Sequence, residues 1–104
     1  MTFSSHDDQR PIQLAAVRGL IEDARSERAL LAEDSPERQF YLGVDAAAQE
    51  VLHPELSTRN PDWLDREKPA FRDGYLRTSA LIAAATMAAD PPARLALPSP
   101  IVAG

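Results

Sequence analysis

The chain has 104 residues, with 16 acidic against 11 basic side chains, a formal net charge of −5 and no cysteine. That length holds one small domain with a modest core, and the lack of cysteine excludes disulfides, thiolate catalysis and cysteine zinc sites. The acidic balance opposes binding to the phosphate backbone of nucleic acid.

Aromatic residues are scarce, at 6%, so a core must come from Leu, Ile, Val and abundant Ala. Alanine has the best helix propensity and β-branched residues are few, which predicts an all-α fold. The expected architecture is a small antiparallel bundle of three main helices, a short helical turn and an extended Pro-rich C-terminal strap. Residues 1–9 are expected to be a flexible N-terminus, 10–90 a single helical domain and 91–104 an extended or disordered tail.

The first helix is predicted over about 10–32. Leu14, Val17, Ile21, Ala24, Arg28 and Leu31 recur at alternating spacings of three and four, which is one apolar face of a helix. Arg28 breaks that face; it either extends its guanidinium to water or pairs with a carboxylate of a neighbouring helix. The opening MTFSSHDDQR lacks the basic and apolar segments of a signal peptide.

Glu33-Asp34-Ser35-Pro36-Glu37 stops one helix and starts another. Asp34 or Ser35 caps, Pro36 suits the first helical position, and Glu37 complements the helix's positive end. The second helix, about 36–52, carries Phe40, Val44, Ala47 and Val51, widened by Tyr41, Ala48 and Leu52. Pro54 ends it at His53. The short connection predicts an antiparallel hairpin with the first helix.

A short helical piece is expected over about 61–67, opened by Asn60-Pro61 and carrying Trp63 and Leu64. Its Trp63 and Arg66 offer a binding epitope, since both residue types are enriched at interface hot spots; the plainer expectation is that Trp63 lids the core. The last helix is predicted over about 69–89, with Phe71, Tyr75, Thr78, Ile82, Ala85 and Ala89 as its stripe. Phe40-x-x-Gly43 and Phe71-x-x-Gly74 echo each other. Glycine inside a helix costs about 1 kcal/mol relative to Ala, so each predicts a close helix–helix approach.

Residues Thr78 to Ala89 carry no charge at all. A helix uncharged on every side needs cover on every side, which predicts an interface formed by Leu81, Ile82, Ala85, Met87 and Ala88. The run is too short to span a bilayer, so no membrane partner is expected and the chain is read as cytoplasmic. In the tail, Leu97, Ile101 and Val102 form a second predicted contact.

Enzymatic motifs are missing: no Gly-x-Ser-x-Gly, no phosphate-cradling glycine loop and no paired histidines. Glu50 and His53 have the Glu-x-x-His spacing of carboxylate-bridged metal bundles, but such sites need two motifs and further carboxylates. The function expected from the sequence is therefore a small non-enzymatic interaction or regulatory module without a cofactor. It is read as a homodimer, or bound to another protein, through its last long helix. Two alternatives are a carboxylate/histidine metal protein assembled across a dimer and an acidic decoy for a basic site on another protein.

Overall fold

The computed structural model describes residues 5–55, 62–88 and 94–100, with side chains from Leu14 onward. The described residues are all helical or irregular, without a strand. Helix α1 spans Ser5–Arg28, α2 Pro36–Leu52 and α3 Pro69–Met87, with a 3-10 turn at Trp63–Arg66 before α3.

The boundaries follow local chemistry. Ser35 Oγ accepts from the Arg38 N–H at 3.2 Å, Pro36 opens α2 and Glu37 lies in its first turn. This is the expected cap, with Ser35 rather than Asp34 supplying it. The His53 N–H closes α2 on Gln49 O at 2.8 Å. Pro69 opens α3 as expected. Two boundaries differ. Helix α1 begins at Ser5, ahead of the expected start near residue 10, and Pro11 lies inside the helix. At its other end α1 stops at Arg28, and residues 29–31 continue as a turn that leaves Leu30 exposed.

Helix α2 is the centre of the molecule. Ala16, Val17, Leu20 and Ile21 of α1 are buried with Ala48 of α2, Ile82 of α3 and Leu95. A second cluster joins Ala24 to Phe40, Tyr41 and Val44. The α1 stripe is as expected but broader, since Ala16 and Leu20 are also buried. On α2, Val51 lies outside the core instead of within it. Helices α1 and α2 run antiparallel: Arg28 and Arg25 reach Asp45, while Arg18 and Ile21 line one shallow cleft with Gln49 and Leu52.

Arg28 takes the paired alternative. Its Nη1 donates to Asp45 Oδ2 at 2.5 Å, and Gln49 Nε2 donates to Asp45 Oδ1 at 3.2 Å. Asp45 is largely buried on the α1 side of α2, and these donors replace the water it gives up.

Helix α3 meets α2 through the two Phe-x-x-Gly segments. A Cβ built on Gly43 would stand 2.1 Å from the Phe71 carbonyl oxygen, and one on Gly74 would stand 2.0 Å from the Phe40 carbonyl oxygen. The helices therefore touch backbone to backbone. Pro36 and Gln39 at the start of α2 share a cleft with Pro69 and Ala70 at the start of α3. Further along both helices, Ala48 and Ile82 share a core cluster, with Leu52, Leu81 and Ala85 packed on it. Helices α2 and α3 thus run in the same sense, which corrects the antiparallel order expected for the last helix. The physical reason is the long connection through residues 53–68, which lets the chain return to the starting end of α2 before α3 begins.

Residues 95–100 have neither helix nor strand. Leu95 is buried in the first cluster and Leu97 packs against both. Among the described residues, no helix is long and apolar enough to cross a membrane.

Candidate functional site

Helix α3 divides into two faces. Gly74, Thr78 and Ile82 are buried against the rest of the chain. The opposite side carries Leu76, Ala80, Ala83, Ala84 and Met87, all exposed. Their spacings of four, three, one and three place them on one stripe about three turns long. Leu76 is 57% and Met87 85% exposed, with only alanine between them. Charge is confined to the first half of α3, where Arg77 Nε pairs with Asp73 Oδ1 at 3.0 Å. A stripe with bulky ends and a small-residue centre lets a second helix approach closely.

This face overlaps the sequence-predicted interface only at Met87. Ile82 is 7% exposed and belongs to the chain's own core, so in this fold it is closed to a second chain. Leu81 and Ala85 are half-buried and pack on the same cluster. Ala88 caps α3, its N–H directed to Ala85 O at 3.3 Å. Leu81, Ile82 and Met87 share size rather than a single face of α3. The complement of the Gly74–Thr78–Ile82 stripe would have picked out Leu76, Ala80, Ala83 and Ala84.

Thr78 is fully buried, and its Oγ1 has no hydrogen-bond partner among the described residues. Trp63 meets Phe71 edge-on at 6.0 Å and Tyr75 edge-on at 5.3 Å, covering the first half of α3. Its neighbour Arg66 is exposed and lies 3.7 Å from Asp62. Leu97 of the predicted tail contact faces inward onto both clusters, while Ile101 and Val102 lie outside the described residues.

The Glu-x-x-His pair is drawn into other contacts. Tyr75 OH donates to Glu50 Oε1 at 2.5 Å, and His53 Nδ1 lies 3.7 Å from Glu55 Oε2. Among the described residues, no group of three His, Asp or Glu side chains is placed to hold a metal ion.

Tyr41 is buried in the second cluster, its ring edge-on to Phe40 at 5.5 Å. Burial pushes its phenol above the ordinary value, and the Glu27 and Glu37 carboxylates push the same way, against a hydrogen bond with Ser99. Ser99 is also reached by α3, since Arg77 Nη1 donates to its carbonyl at 3.2 Å.

Compared with protein-family models, with curated proteins and with solved structures, the chain matches none.

Proposed function

We propose that this chain is a small, non-enzymatic protein-interaction module that self-associates through the solvent face of α3. The exposed stripe Leu76–Ala80–Ala83–Ala84–Met87 is the observation that carries the reading. Two such stripes packed together bury the Leu and Met side chains at either end. The alanines between them allow close axial approach, where dispersion contacts are densest. We read the rest of the chain as the scaffold for this face: a helical bundle centred on α2, tied by an extended, Pro-rich C-terminal strap.

Light scattering after size exclusion, over a wide concentration range, tests it. The expected result is a dimer that dissociates on dilution, is little affected by salt, and is lost in Ala84→Glu with helix content unchanged. A monomer at every concentration overturns the reading. Association that weakens steeply with salt would favour charge-driven binding instead.

A further inference from the structure

The C-terminal segment lies across the molecule and touches all three helices. Helices α1 and α3 each pack on α2 and meet one another only sparsely. Residues 94–99 cross the groove bounded by α1 and α3, with α2 as its floor. At one end, Arg94 Nη2 lies 3.8 Å from Asp23 Oδ2, and Leu95 enters beside Ala16 and Gly19 of α1. Leu97 then contacts both core clusters. At the other end, Ser99 is clasped by Tyr41 of α2 and Arg77 of α3.

Every one of these described contacts uses a side chain of the segment or a single carbonyl. None is a ladder of backbone bonds that would tie the segment into a helix or sheet. The segment behaves as an extended peptide seated in a slot, read by two leucine sockets, an acidic residue at one end and a hydrogen-bonding clasp at the other. Extended peptides are recognised elsewhere by this combination of alternate side-chain sockets and a few fixed polar contacts.

The geometry points to the groove between α1 and α3 as a binding site for an extended Leu-x-Leu-Pro-Ser segment, filled within one chain by residues 95–99 and open to the same segment of a second copy. The contacts made by a second copy's segment are identical to those made in cis. Concentration and the connecting residues 89–93 therefore decide which segment occupies the slot. This site is separate from the α3 stripe, and neither requires the other.

The test opens the groove in the full-length chain. Leu95→Ser with Leu97→Ser removes the anchors of the cis segment without substituting any residue of the helices. A fluorescent peptide of residues 94–104 is titrated against this variant. Saturable binding is expected, weaker by about tenfold or more for a peptide carrying serine at either leucine. Binding to the wild-type chain should also be weaker, because its own segment competes. Absence of binding to a variant that keeps its helix content overturns the proposal.

If the variant loses its helices, full-length chains carrying a single Asp23→Cys or Arg94→Cys decide. Mixed and joined with a short bismaleimide, they should give a covalent 23–94 dimer whose yield rises with concentration. It should persist in an Ala84→Glu background, which disables the α3 stripe. No dimer at any concentration, or a dimer lost with Ala84→Glu, overturns it.

Discussion

The Phe40 carbonyl faces Gly74 so closely that a methyl group there would reach within 2.0 Å of its oxygen, and Gly43 stands in the same relation to Phe71. The two segments exchange roles across one crossing: each phenylalanine supplies the backbone that the other helix's glycine admits. The glycines give up helix propensity to permit this approach, and the dense contact along α2 and α3 offsets that cost.

Alanine at either crossing position should therefore cost about 3 kcal/mol, the upper range for overpacking, because backbone rather than a flexible side chain must yield. Gly19 is the internal control: a Cβ there meets nothing within 4 Å. Gly19→Ala should stabilise by about 0.5–1 kcal/mol through helix propensity and the unfolded chain. Urea unfolding of the three variants separates these effects, and equal signs at Gly19 and Gly43 would contradict the crossing.

Thr78 presents the opposite case, a polar atom without a partner among the described residues in a site with no exposure. Thr78→Val keeps the shape and removes the desolvated hydroxyl, so it should raise stability by about 1 kcal/mol. Thr78→Ala should lower it by opening a methyl-sized void. Thermal denaturation followed by circular dichroism reads both.

The Arg28–Asp45 pair joins α1 to α2 where both side chains are largely removed from water. Removing either partner strands the other, and Asp45→Ala or Arg28→Ala should each cost about 2 kcal/mol, below the range for fully buried pairs. The double variant should cost less than the sum, with a coupling of about 1 kcal/mol in a double-mutant cycle. Strict additivity would mean that the contact contributes nothing to stability.

Tyr41 gives the fold a dependence on alkaline pH. Its folded phenol is held above the ordinary value of 10.0 by burial first, then by Glu27 and Glu37. Below pH 10 both folded and unfolded chains keep the proton, and stability does not depend on it. As the pH rises past 10 the unfolded chain gives up its proton first, so stability falls until the folded phenol ionises as well. Unfolding midpoints measured from neutral to strongly alkaline pH should decline in that window. In Tyr41→Phe the decline should be shallower.

Much of the helix layout was legible because its signals are local. Ser35-Pro36 capping, the α1 stripe through Val17, Ile21 and Ala24, and the close approach implied by Gly43 and Gly74 all depend on residues within a turn or two. The direction of α3 was not legible, since two glycines at a crossing fit either sense of the helices. The same limit applied to Ile82. It sits in an uncharged run with large residues pointing several ways, and what buries it, with Ala48 and α1, lies far away in sequence. The Leu95 and Leu97 contacts depend in the same way on distant chain, and composition, which suggests an extended or disordered tail, does not encode them.

The order in which these parts assemble follows from the shared direction of α2 and α3. Helices α1 and α2 close on each other through residues 29–35, a short loop with a small entropic cost. Helix α3 reaches its glycine crossing only after the longer connection of residues 53–68 has closed, and the C-terminal segment can seat only when both neighbours are in place. Contacts of greater sequence separation form more slowly. The helix pair that touches most intimately in the finished molecule is thus the one whose meeting the chain must wait for.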